Sequence, residues 1–146
     1  MKVSIVMPAY NAEKTIKESV SSVLLQTYID FELIIINDGS NDDTIGVVQK
    51  YCKDPRIIIK SINNGGVANA RNTGILNARG KFILPLDTDD WVDDDHIASM
   101  YHAISKNYDK DNFVYTDTVL EGLQQGLIKN NYNFFEQLFS NQVPYS

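Results

Sequence analysis

The chain has 146 residues, 43% of them apolar and 22% charged, which fits one compact soluble domain and excludes a disordered or fibrous chain. Its formal net charge is −6, and no cluster of Lys and Arg offsets it, so nucleic acid is excluded as the main partner: phosphate neutralisation needs a basic face. Cys52 is the only cysteine, so no intrachain disulfide can form and the simplest compartment is a reducing cytoplasm.

Strand-like and helix-like segments alternate, which predicts a layered α/β domain with a mainly parallel sheet. Val3 to Met7 reads as a buried first strand closed by Pro8, and is too short for a signal peptide or a membrane span. Asn11 reads as the N-cap of a helix whose Ile16, Val20, Val23 and Leu24 share one face. Phe31 to Ile36 is the second strand, unbroken apart from Glu32, and Asn37-Asp38-Gly39-Ser40 is a turn. A helix with Ile45, Val48 and Cys52 inward follows, then a third strand from Arg56 to Ser61. Val67 to Ala78 reads as a helix of small residues, with Gly80 at its C-cap and a fourth strand from Lys81 to Leu86. The next helix runs from Asp93 to Ser105, and a fifth strand from Asn112 to Thr116. Beyond Asp117 the pattern weakens. Gly122 to Gly126 and Lys129 to Asn133 read as loop, and Phe134, Phe135, Leu138 and Phe139 as one face of a short helix. The division is a core at 1–117 followed by a separate region at 118–146.

Asp87, Asp89 and Asp90 stand in a loop immediately after a buried strand, the place where open α/β sheets bind ligands. Like charges this close repel, and require a cation, a proton or an opposing side chain. Mg2+ and Mn2+ meet that need: they favour oxygen ligands and are held by one or two carboxylates together with substrate phosphates. Asp93, Asp94 and Asp95 are assigned instead to the positive end of a helix dipole. An EF-hand does not fit, because Trp91 and Val92 fall where that loop needs an oxygen ligand and a glycine.

Four weaker candidates lie at other strand exits. Pro8 and Ala9 carry the chain out of the first strand to Tyr10, whose flat ring can stack on a base or simply cover the sheet edge. Asp38 can accept the N–H of a uracil-type base, although turn chemistry accounts equally for an Asp before Gly and Ser. Gly65-Gly66 opens a helix and offers backbone N–H groups to a phosphate, without being a known phosphate motif. Arg71 can clamp a diphosphate, orient the Asp87 loop, or form a structural ion pair.

Taken together and in order, these segments resemble the family 2 glycosyltransferases. Val3 to Asn11 is similar to their opening strand, and Glu32 to Ser40 with Asp43-Thr44 to their second strand and turn. Gly65-Gly66, Ala70 to Ile75 and Ala78 to Gly80 resemble their central helix, and Leu86 to Trp91 their DXD segment. The resemblance implies a GT-A fold, incomplete at the C-terminus of this chain. It implies a nucleotide-diphosphate-sugar donor, often UDP-linked, and a Mg2+ or Mn2+ ion. Pro8, Ala9, Tyr10 and Asp38 would lie at the nucleotide, with Arg71 organising the pocket. The carboxylate loop would bind ribose and metal, with the division of those tasks among Asp87, Asp89 and Asp90 left open. The implied reaction is inverting transfer to an acceptor hydroxyl on a glycan, a lipid carrier or a protein. The family's general base lies past the DXD segment, so it is expected beyond Ser146, and a truncated chain would keep donor binding better than transfer. The implied location is the cytoplasm, with peripheral attachment to the inner face of a membrane. Two alternatives stand beside this reading. One is a nucleotide- or metal-binding module without turnover. The other is a haloacid-dehalogenase-type phosphatase, against which Asp90 replaces the Thr or Val that should follow the second aspartate.

Overall fold

Strands β1 (Val3–Ala9) and β2 (Phe31–Asp38) are buried along their whole length, as strands covered on both faces must be. The computed structural model describes residues 2–105, 114, 118–120 and 126–128. Strands β3 (Ile57–Ile62) and β4 (Phe82–Pro85) complete an all-parallel sheet in the order β3-β2-β1-β4. Parallel neighbours need crossover connections, and helices α1 (Ile16–Leu24), α2 (Thr44–Gln49) and α3 (Val67–Asn77) provide them. The expected α/β architecture is therefore what forms. A further helix, α4, spans His96–Ser105. Among the described residues no helix is long and apolar enough to cross a membrane.

The chain divides into two compact units, Met1–Ala98 and Ser99–Ser146. The second contains an antiparallel pair, β5 (Thr118–Leu120) and β6 (Gly126–Ile128), where hydrophobic periodicity gives no strand. Of the expected strand at 112–116 only Val114 is described, and it is in no strand; the helix at 134–139 and the boundary after residue 117 lie outside the described residues.

In the first unit, α3 packs on β1 and β2. Ile34, Ile36 and Ala70 form the buried centre of that contact, with Ile58, Ile62 and Ala78 around them. The approach is close enough that a Cβ on Gly74 would stand 2.3 Å from Val6 Cγ1, so the small residues of α3 are a packing requirement.

Several local expectations are corrected. Strand β1 runs through Pro8 to Ala9, and Pro8 is paired with Ile36 of β2. On the other side the β4 ladder ends at Val6↔Pro85, with Leu86 N–H donating to the Val6 carbonyl. By alternation the Pro8 nitrogen faces that side, so its missing N–H costs the sheet nothing. Asn11 is not a helix cap. It sits at φ 50°, and α1 begins after Thr15 with no side-chain cap bond. Asn37 and Asp38 belong to β2 rather than to a turn. Cys52 lies past the end of the short α2 and is exposed.

Gly80 does not cap α3, which ends at Asn77 with Ala78 already extended. Its role is close approach: a Cβ there would meet Ser4 N at 2.6 Å. Gly80 N–H donates to Ser4 Oγ at 2.8 Å. Ser4 Oγ donates in turn to Glu32 Oε1 at 2.6 Å, and Arg79 N–H donates to the same oxygen at 2.7 Å. Lys2 Nζ lies 3.4 Å from Glu32 Oε2. Glu32 is 1% exposed, so the one charge in β2 before its final residue is held by a network that fastens the α3–β4 connection to the sheet.

Burial pushes the Glu32 carboxyl up, but the Ser4 hydroxyl, the Arg79 amide and the Lys2 ammonium together bring it below the ordinary glutamate value. A carboxylate lowered on folding stabilises the native state at neutral pH and loses that contribution as pH falls through its folded pKa. Glu32→Gln is expected to cost about 2 kcal/mol at neutral pH, since it removes one partner of a buried charged network. In urea unfolding the gap from the parent should narrow as pH falls below the ordinary glutamate value; a gap independent of pH would contradict this.

Candidate functional site

The strand order reverses between β1 and β4, and open α/β sheets bind ligands at such a point, outside the C-terminal ends of the strands. Here the ends of β1, β2 and β4 carry the residues singled out from the sequence. Pro8 and Ala9 are buried in the last step of β1, and Tyr10 beyond them is 50% exposed. Because Ala9 is level with Asn37, Tyr10 and Asp38 occupy the next step of adjacent strands.

Asp38 is 3% exposed. Its Oδ1 accepts Gly65 N–H and its Oδ2 accepts Gly66 N–H, both at 2.8 Å. Asn64 Nδ2 donates to the Asp38 carbonyl at 3.0 Å. The exit of β2 is thus tied to the start of α3. The glycine amides that could have faced a phosphate are engaged by this carboxylate.

Arg71, on the second turn of α3, donates through Nη2 to both oxygens of Asp87, each at 2.7 Å. Both side chains are partly exposed, at 40% and 35%. The Arg71 Nε is buried and has no partner. This contact is an ion pair with the Asp87 loop, common to the loop-orienting and structural readings of Arg71.

Asp89 and Asp90 are exposed on the same loop, where Asp90 N–H donates to the Asp87 carbonyl at 3.3 Å. Partial burial raises the Asp90 carboxyl above the usual aspartate value, and the charges of Asp89 and then Asp87 raise it further. Among the described residues no three acidic, His or Cys side chains are gathered as a metal cage. With Asp87 turned to Arg71, the exposed oxygen donors of the loop are those of Asp89 and Asp90.

Residues not singled out from the sequence hold this loop from behind. Ser19 Oγ donates to the Thr88 carbonyl at 2.8 Å, and Val92 N–H donates to Ser22 Oγ at 3.3 Å. Gln26, 4% exposed, donates to the Asp93 carbonyl at 2.6 Å and accepts Ile97 N–H at 2.9 Å, capping α4 from a distance. Asp93, Asp94 and Asp95 accordingly precede α4 rather than forming its first turn. Ser19 and Ser22 are i, i+3 neighbours beside the apolar face of α1, and Gln26 lies just past its end; the i, i+3, i+7 spacing is the signal that could have revealed them.

The family model for glycosyl transferase family 2 matches residues 4–141. The chain is 40% identical over 138 residues to a chondroitin synthase of Pasteurella multocida, covering 92% of this chain and 14% of that protein. It is 48% identical over 92 residues to the Escherichia coli UDP-Glc:alpha-D-GlcNAc-diphosphoundecaprenol beta-1,3-glucosyltransferase WfgD, covering 62% of this chain and 36% of that one. The crystal structure of S. aureus TarS in complex with UDP superposes with a TM-score of 0.70 at 29% identity, over 74% of this chain and 33% of TarS. The chain therefore spans only a minor part of the length of these relatives.

The charge cluster gives a direct test. Replacing Asp89 with Asn removes the larger of the two charges acting on Asp90, so the Asp90 carboxyl should titrate at lower pH. Carbon-13 NMR of the side-chain carboxyl reads this, and an unchanged Asp90 titration would show that the two groups do not share a field.

Proposed function

The chain belongs to glycosyl transferase family 2, and from that premise we propose that it binds a nucleotide-diphosphate-sugar donor, with UDP as its nucleotide part, at the C-terminal ends of β1, β2 and β4. The observation that carries the reading is the placement of three kinds of group at the C-terminal ends of the neighbouring strands β2, β1 and β4: a half-exposed aromatic ring, a fixed buried carboxylate and an exposed acidic pair. The UDP bound to TarS and the UDP-linked donor in the name of WfgD support a uridine donor. In this reading Tyr10 stacks on the base and Asp38 accepts its N–H through a lone pair left free by Gly65 and Gly66, with Pro8 and Ala9 setting the floor. Asp87, oriented by Arg71, takes the ribose. The unpartnered Arg71 Nε offers one further buried donor to the ligand.

The residues fit a divalent cation of the type completed by substrate phosphate, and do not fit a cage of three carboxylates. Asp89 and Asp90 would hold Mg2+ or Mn2+, whose hard-oxygen preference they match. Bound there, the ion would offset charge on the departing diphosphate. The chain's own part in transfer is to hold the donor by base, ribose and phosphate, so that the anomeric carbon faces an incoming acceptor. The acceptor hydroxyl forms the new C–O bond as the bond to the nucleotide diphosphate breaks, with inversion. Its proton passes to a general base, a role assigned to none of the described residues. A polysaccharide is named for the chondroitin synthase and a diphosphoundecaprenol-linked sugar for WfgD. By analogy with these relatives, the acceptor proposed for this chain is a glycan or a lipid-linked sugar, met in the cytoplasm at the inner face of a membrane. The phosphatase alternative loses its ground with the family match over residues 4–141.

Titration calorimetry should find UDP bound at least about tenfold more tightly with Mn2+ than with a chelator, a difference of roughly 1.4 kcal/mol. Asp89→Ala combined with Asp90→Ala should abolish the difference. Metal-independent binding in the parent would remove the cation from the proposal, and no binding of UDP at all would remove the donor site.

A further inference from the structure

Tyr10 has a half-exposed ring on a chain that has just left the sheet, so its direction depends on the backbone either side. Before it, Ala9 is fixed by pairing with Asn37. After it comes Asn11, at φ 50° the sole non-glycine residue with positive φ among the described residues. Left-handed backbone is unfavourable for most L-residues and least so for Asn and Asp. Here it is held from outside. Asn11 N–H donates to Ser40 Oγ at 3.0 Å, and Asn11 Oδ1 accepts Asn41 N–H at 2.8 Å. Both partners lie on the loop that follows β2, so one residue binds the exit of β1 to the exit of β2.

The same two loops are joined again just beyond. Ala12 N–H donates to Thr44 Oγ1 at 2.8 Å, in a buried contact. Glu13 and the Asp42–Asp43 pair exchange reciprocal bonds at 3.0 Å, from Glu13 N–H to Asp42 Oδ2 and from Asp43 N–H to Glu13 Oε2. Ser40 N–H is in turn fixed by Asn37 Oδ1 at 3.1 Å. The Glu13, Thr44 and Asp42 bonds keep the loops together without Asn11. What Asn11 alone determines is the turn of the chain directly after Tyr10.

We infer that Asn11 is a positioning residue: its left-handed turn, pinned to Ser40 and Asn41, aims the Tyr10 ring at the nucleobase. This rests on the reading of Tyr10 as the stacking residue. The aim is set before any ligand arrives, so a base that stacks on Tyr10 does not have to order the loop.

The test is a double-mutant cycle on UDP affinity by titration calorimetry, with thermal midpoints measured alongside. Asn11→Ala, which loses the carboxamide and disfavours positive φ, should weaken UDP about tenfold. Asn11→Gly, which keeps the turn but loses the bond from Asn41, should weaken it about threefold. On a Tyr10→Ala background neither change should weaken UDP further, because the residue acts only through the ring. Losses that simply add would overturn the inference while leaving Tyr10 a contact. A Tyr10→Ala variant that binds UDP like the parent would overturn the stacking reading and the inference with it. Should Asn11→Ala not fold, the cycle is read with Asn11→Gly, whose backbone accepts the turn.

Discussion

β1 keeps its ladder with β2 to Ala9 but parts from β4 after Val6, and this unequal pairing is the constraint from which the site follows. Pro8 fits β1 because no β4 neighbour asks for its N–H, and beyond Pro85 the β4 chain is free to turn away as the acidic loop. A cleft between adjacent parallel strands needs both a reversal of strand order and a local end to the ladder. Here they coincide between β1 and β4. The rest of the sheet is arranged to keep that parting in place, with α3 packed tightly on β1 and β2 and the Ser4–Glu32 network fastening the chain that leads into β4.

The carboxylates at the crevice illustrate how one residue type takes several roles through its surroundings. Asp38 is buried and its charge is met by two backbone amides at the start of α3, which makes it rigid. Asp87 is met by a guanidinium, so it is oriented yet partly open to water. Asp89 and Asp90 lie side by side at the surface, and partial burial, then the charges of Asp89 and Asp87, raise the Asp90 carboxyl above its ordinary value. Mutual repulsion is tolerable on a loop anchored from behind by Ser19, Ser22 and Gln26, and it leaves the pair disposed to accept positive charge. The two anchors differ in kind: α3 holds the loop through an ion pair, whereas α1 holds it through neutral hydrogen bonds to the backbone.

The sheet was legible because Val3 to Met7 and Phe31 to Ile36 are apolar runs too long to be anything but covered strands. The acidic loop was legible because its carboxylates directly follow an apolar strand, although that strand, β4, is only half-buried where a buried one is expected. What could not be read depends on contacts distant in sequence. Asn11 looks like a helix cap until the β2 loop is brought beside it and draws it into a left-handed turn. Gly80 looks like a C-cap until Ser4 is seen to leave no room for a side chain. The helix start at His96 owes its capping acceptor to Gln26, in the chain just past the end of α1. Cys52 follows the helical period, but α2 ends at Gln49 before the period can bury it. Asp38 reads locally as a base acceptor or as turn chemistry, and its partners, Gly65 and Gly66, belong to a different strand exit. For Asn11, Gly80 and Asp38, hydrogen bonds to residues distant in sequence decide the residue's task.

Paramagnetic NMR on carboxyl-labelled protein with UDP bound tests the central claim most directly. Trace Mn2+ should broaden the side-chain carboxyl signals of Asp89 and Asp90, together with the phosphorus resonances of the nucleotide, and spare Glu32. Broadening spread over Asp93, Asp94 and Asp95 with the phosphorus lines left sharp would contradict a cation shared between this loop and a diphosphate.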